Sequence, residues 1–142
     1  MNMAYPVSFK TYANGQVGAF FADVPEAITA SATQAQALDY AQDALVVALS
    51  SYSGRALPQP GKAKRGQQVV ALPPRAAIKL AIIDAMRVQA MTQERLSALM
   101  GIDARQVRRV LHLGHESKLS QLDATLAALG LRASVSVEAV RT

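Results

Sequence analysis

The chain has 142 residues, 51% of them hydrophobic and 18% charged, which suits a folded protein of one ordinary domain or two small ones rather than a disordered one. No apolar run reaches the roughly 18 residues of a membrane helix, no basic-then-apolar signal pattern opens the chain, and cysteine is absent, so a cytoplasmic protein of bacterial style without disulfides or thiolate metal sites is the simplest expectation. The net charge of +5 is uneven: residues 1–54 carry −3, residues 55–66 carry +4 and residues 67–142 carry +4, so the front suits a basic protein and the back suits phosphate.

Residues 4–12 alternate, with Tyr5, Val7 and Phe9 on one face and Ser8 and Lys10 on the other. Asn14-Gly15 follows as a hairpin signal, because both residues tolerate positive φ. Val17, Ala19 and Phe21 alternate along a second strand, Asp23-Val24-Pro25 breaks it, and residues 28–32 form a short third one. Thr33 then opens a helix with Gln36 as its partner in a Thr-x-x-Gln capping box. The helix is expected to reach about Tyr52. Its apolar stripe is Leu38, Leu45, Leu49 and Tyr52, supported by Ala41 and Ala48. One sheet face and one helix stripe can bury each other, which makes a two-layer module of strand-strand-strand-helix-strand order.

Residues 53–66 are rich in Gly, Pro and positive charge and read as a mobile, solvated connector. Residues 67–72 are a compact strand that adds to the first module. Pro73-Pro74 punctuates the chain, and the domain boundary belongs at residues 72–74, giving modules 1–72 and 73–142. The next helix carries Ile78, Ile82, Ala85 and Met86 as its stripe and leaves Arg75, Lys79 and Arg87 to solvent.

The informative stretch is residues 92–114. Thr92 caps a helix with Leu96, Leu99 and Met100 as its stripe, Gly101 sits where a left-handed residue is wanted, and Asp103 with Gln106 forms a capping box for a second helix. On that helix Val107, Val110 and Leu111 oppose Arg105, Arg108, Arg109 and His112, at roughly 150–160° for about 100° per residue. One face packs and the other presents three guanidinium groups, the outline of a helix-turn-helix recognition helix. Ala104, Arg105 and Gln106 would enter the major groove first. Arg108, Arg109 and His112 would read bases or hold phosphates. Gln93 and Lys118 are placed for the phosphate backbone.

A helix with Leu119, Leu122, Leu126 and Leu129 follows and stops at Gly130. Ala133, Val135, Val137 and Ala139 then alternate with polar residues as a late strand with no partner in a helical domain. Pairing with the same strand of a second copy would make a dimer that presents two recognition helices together. The fold class is therefore α+β, a small two-layer module followed by a helical DNA-binding domain with a terminal strand.

No catalytic set stands out. His112 and His115 lack a third metal ligand, Asp39 and Asp43 lie one helical turn apart with Asp23 elsewhere, and no glycine-rich phosphate loop is present, so neither enzyme activity nor a metal or other cofactor is expected.

With these residues in view, the chain resembles the HicB-type antitoxins over essentially its full length. The pieces are YPVSF, Asn14-Gly15 and ADVPEAITASATQAQALDYAQDAL in the first module and LSALMGIDARQVRRVLHLGHESKLSQLDATLAALG in the second, where the likeness is to phage-repressor-type (Cro/C1-like) motifs. Ser97 stands where a small alanine is typical. The resemblance implies that the first module is a partial ribonuclease-H-like fold without catalysis, which covers the active site of a small basic HicA-type toxin, an mRNA-cleaving ribonuclease. It implies that the second module binds the operon's own promoter as a dimer or larger assembly. The reading that competes with it is a stand-alone dimeric transcriptional regulator whose first module binds a small ligand or serves only in assembly.

Overall fold

The structure, a computed structural model, describes residues 3–52 and 54–139; Ser53, at the head of the expected connector, lies outside the described residues. The first alternating run is one strand in sequence and two in space. β1 (Ala4–Pro6) pairs antiparallel with β5 (Val69–Ala71), whereas β2 (Ser8–Thr11) pairs with β3 (Val17–Phe20). The split falls after Pro6, which has no N–H to give a ladder. The Val7 amide donates to the Gln68 carbonyl at 3.0 Å instead. The late strand of the first module thus joins β1 in a two-stranded ladder rather than extending the hairpin sheet.

The hairpin forms where Asn14-Gly15 places it, with a different turn. The Tyr12 amide donates to the Gln16 carbonyl at 2.8 Å and the Gly15 amide to the Tyr12 carbonyl at 2.9 Å, so the loop has three residues. Only Gly15, at φ +85°, takes the left-handed region; Asn14 instead accepts the Gln16 amide on its Oδ1 at 3.0 Å. This is the turn-plus-bulge solution rather than the two-residue one. β4 (Ile28–Ser31) completes a sheet of order β2-β3-β4.

α1 (Gln34–Ser50) lies across this sheet. Thr33 caps it by accepting the Gln36 amide at 3.2 Å; the reciprocal half of the expected box, from the Gln36 side chain, is not made. The buried face is Ala37, Ala41, Leu45, Ala48 and Leu49, while Leu38 and Tyr52 sit at its margin. Small residues at 37, 41 and 48 let the helix approach the strands closely. Tyr5, Val7, Ala19, Phe21 and Val24 fill the space beneath.

The connector is tied down rather than free. Leu57 is buried in this first cluster, the Tyr5 hydroxyl donates to the Pro58 carbonyl at 2.8 Å, and the Gly61 amide donates to Asp23 Oδ2 at 2.8 Å. One leucine among glycines, prolines and cations is a weak signal in sequence and is enough to anchor the segment.

The helical half is α2 (Pro74–Val88), α3 (Gln93–Met100), α4 (Ala104–Leu111) and α5 (Leu119–Ala128). Its core is Ile82, Met86, Leu96, Val107, Val110, Leu122, Leu126 and Leu129. α2 serves both clusters, with Leu80 in the first and Ile82 and Met86 in the second. Two leucines of the expected stripes are outside it: Leu99 is 57% and Leu119 61% exposed. A helix of two turns buries only one strip, here Leu96 with Met100 at its border, and Leu119 is the first residue of its helix.

Gly130, at φ +76°, ends α5 with the Leu131 amide donating to the Leu126 carbonyl at 2.8 Å. The expected late strand is not formed: residues 131–139 have no regular structure. Ala133, Val135, Val137 and Ala139 are all exposed, Val137 at 92%. A strand is defined by its ladder, and among the described residues no strand pairs with this segment.

Candidate nucleic-acid interface

α3 and α4 meet through a tight turn. Gly101 adopts φ +66°, ψ +33° after Met100, and a Cβ placed there would touch nothing, so the backbone conformation alone selects glycine. Ser97 donates its hydroxyl to the Ile102 carbonyl, and the Ile102 amide donates back to the Ser97 carbonyl at 3.2 Å. The serine in place of alanine thus ties the helix to its own turn. Asp103 Oδ1 accepts the Gln106 amide at 2.8 Å and Gln106 Oε1 accepts the Asp103 amide at 3.2 Å, which is the full capping box read from the sequence.

Val107 and Val110 face the core and Arg105, Arg108 and Arg109 face water. Among the described residues the one ion pair joins Arg87 and Asp84 at 3.1 Å, so these three guanidinium groups are unpaired. With His112, Gly114 and His115 they line an open hollow of about 430 Å³ that has no carboxylate in its wall. Planar guanidinium forks lining one hollow have the chemistry to hold phosphate or guanine edges.

The other expected residues stand around this hollow, not in it. Ala104 is the first residue of α4 and exposed; Gln93 is the first residue of α3 and exposed. Lys118 is exposed at the start of α5. Gln106 is half-buried with its carbonyl committed to the cap, which leaves its NH2 group as the free donor. His112 Nδ1 accepts the Gly114 amide at 3.1 Å, and His115 Nδ1 shares a bond of 3.1 Å with the Ser117 hydroxyl. Each ring keeps only Nε2 for anything else. Among the described residues no three metal-ligating side chains cluster; Asp23 is engaged by the connector, and Asp39 and Asp43 lie on α1.

Lys79 corrects the expectation of a solvated cation. It is fully buried, and its Nζ donates to three carbonyls: Arg109 at 3.0 Å, His112 at 2.7 Å and His115 at 2.7 Å. The last carbonyls of a helix lack intrahelical donors and carry the negative end of its dipole, so an ammonium there supplies both hydrogen bonds and charge. Arg75, one turn earlier on α2, donates its Nε to the Ser117 carbonyl at 3.2 Å. Burial, with the Arg75 charge as a smaller second cause, pulls the Lys79 ammonium down to about 8. The phase of α2 explains the burial: residue 79 stands three before Ile82 and seven before Met86, on the stripe that packs. That spacing was the one sequence signal for it.

A family model described as HicB-like antitoxin of bacterial toxin-antitoxin system matches residues 4–81, which span the first cluster and α2 as far as Ala81. Curated relatives extend the match over α4. The chain is 32% identical to Antitoxin HicB 1 of Photorhabdus laumondii, covering 96% of this chain and 88% of the relative. It is 34% identical to Antitoxin HicB 2 of the same organism, at 91% and 92% coverage, and 28% identical to Antitoxin HicB of Escherichia coli K12, at 94% and 98%. Matched by the family model over more than half its length and by named antitoxins over nearly all of it, the chain belongs to the HicB-like antitoxin family of bacterial toxin-antitoxin systems.

Proposed function

We propose that this antitoxin neutralises a HicA-type mRNA-cleaving toxin through residues 1–72 and represses its own operon through residues 73–142, with α2 as the joint. In this reading the first module is a partial ribonuclease-H-like fold used for binding rather than catalysis, and the acidic balance of its residues 1–54 suits a basic toxin. The second module is a helix-turn-helix of phage-repressor type. α4 enters the major groove with Arg105 foremost, Arg108 and Arg109 read bases or hold phosphates, and His112 donates to phosphate. The amide of Gln93 meets the backbone at the start of α3. The observation that carries the DNA-binding half is the hollow of three unpaired guanidinium groups on a helix capped at both ends.

Residues 133–139 are exposed and apolar at alternate positions, which suits pairing with the same segment of a second copy. Two α4 helices would then face half-sites about 34–36 Å apart. The test is a tagged pull-down from the native locus with the mass of any stoichiometric partner, together with promoter binding by wild type and Arg105→Ala. A small basic partner that degrades mRNA when free supports neutralisation. Recovery of the chain alone, still bound to its promoter, leaves the stand-alone regulator. Arg105→Ala should weaken the promoter more than random DNA, by about 1–3 kcal/mol of discrimination. An equal loss on both would reduce Arg105 to a phosphate contact.

A further inference from the structure

α1 has a second apolar stripe that the fold does not use. Tyr40, Ala44 and Val47 recur at helical spacing on the side away from the first cluster, with Tyr40 54% and Val47 70% exposed. Beside them is Ile28, 66% exposed, at the start of β4. Together these residues floor a hollow of about 540 Å³. Single exposed apolar residues are ordinary; a continuous patch on a helix whose other face is already buried marks a docking surface. β4 is also an end strand, laddered among the described residues to β3 on one side only, so its outer edge offers backbone donors and acceptors.

The rim of this hollow is acidic. Glu26 and Asp43 line it, and no lysine or arginine does. The Glu26 carboxylate is held in place by the Tyr52 hydroxyl, which donates at 2.8 and 2.9 Å, and the Arg55 guanidinium stacks on the Tyr52 ring at 4.2 Å. An anionic rim repels nucleic acid. A second copy seated on the same face across a two-fold axis would set one acidic rim against another, which disfavours self-contact.

We infer that the hollow between β4 and α1 is the docking surface for a basic protein, which inserts an apolar side chain between Tyr40 and Val47, sets its cations against Glu26 and Asp43, and aligns backbone with the free edge of β4. The occupant is the toxin of the proposed function, and the inference rests on that reading. The test uses the full tagged chain expressed from its native locus as wild type, Val47→Arg, Tyr40→Ala and Asp43→Lys. Each variant should recover the small basic partner about tenfold less well than wild type, with an unchanged melting temperature and an unchanged mass of the isolated chain. Asp43→Lys removes no buried apolar group, so it stays decisive if Val47→Arg melts early. Undiminished recovery by the variants would overturn the surface and leave neutralisation standing. Failure of wild type itself to recover a basic partner would remove that reading and the inference with it. A changed mass of the isolated variants would show a contact between copies and overturn the inference as well.

Discussion

The two ends of α4 are satisfied in opposite ways. At its start, Asp103 and Gln106 exchange bonds across three residues of chain. At its finish, Lys79 reaches from another helix, 30 to 36 residues away, to take three carbonyls at once. Both arrangements answer the same need, since a helix leaves unpaired amides at one end and unpaired carbonyls at the other. A local cap fixes where a helix begins. A remote clamp also fixes where the helix sits, because it ties α4 and the loop after it to α2. The basic face of α4 is thus aimed by a cation that does not itself face outward.

Removing the remote clamp should cost most. Lys79→Met keeps the volume and leaves the carbonyls of Arg109, His112 and His115 without their donor, for an expected loss of about 2–4 kcal/mol in urea unfolding. The same substitution should erase a pH dependence. The ammonium falls from 10.5 to about 8 on folding, so between pH 8 and 10 the unfolded chain holds a proton that the folded chain has released. Stability then rises with pH in that window, and below pH 8 this group contributes no slope. Above pH 10 the raised Tyr5 and Tyr52 hydroxyls act in the opposite sense, because the unfolded chain loses those protons first. A wild-type slope no steeper than that of Lys79→Met would show that the clamp does not titrate there.

The local cap should cost less. Asp103→Ala removes one side-chain acceptor from an exposed helix start and should destabilise by about 1 kcal/mol, with Asp103→Asn nearly neutral. Thermal unfolding of the pair against Lys79→Met sets the two ends on one scale. A larger loss for Asp103→Ala than for Lys79→Met would reverse the comparison, and would mean that water replaces the ammonium at the far end.

The same division separates what could be read from the sequence from what could not. Thr33, Gly101, Asp103 and Gln106 act on backbone within a few residues, and the alternation of Arg105, Arg108 and Arg109 with Val107 and Val110 needs only the helical period; the structure has each of these. Leu57 and Lys79 are settled by what lies across from them. A leucine in a basic, proline-rich run and a lysine one position from an isoleucine look solvated until the facing element is known. The hairpin is intermediate: Gly15 marked its place, while the choice of a three-residue loop depended on how β2 and β3 meet. Residues 133–139 lie at the far limit, since their alternation describes a strand whose ladder one chain does not provide.

The smallest effect comes from two helix ends that use one geometry with different residues. α3 ends in Gly101 at φ +66°, and α2 passes through Ala90 at φ +52° just after its own end, with the Met91 amide donating to the Met86 carbonyl at 2.8 Å. An L-residue in the left-handed region costs about 1–2 kcal/mol, and glycine returns part of that by loosening the unfolded chain. Ala90→Gly should therefore stabilise by about 0.5 kcal/mol, and Gly101→Ala should destabilise by about 1 kcal/mol although its added methyl meets nothing within 4 Å. Because Ala90 is exposed, its methyl has little packing to lose. Opposite shifts in melting temperature, the smaller at Ala90→Gly, would assign both effects to the backbone, whereas a loss at Ala90→Gly would mean that α2, the helix that carries Lys79, depends on a stiff exit more than on an unstrained one.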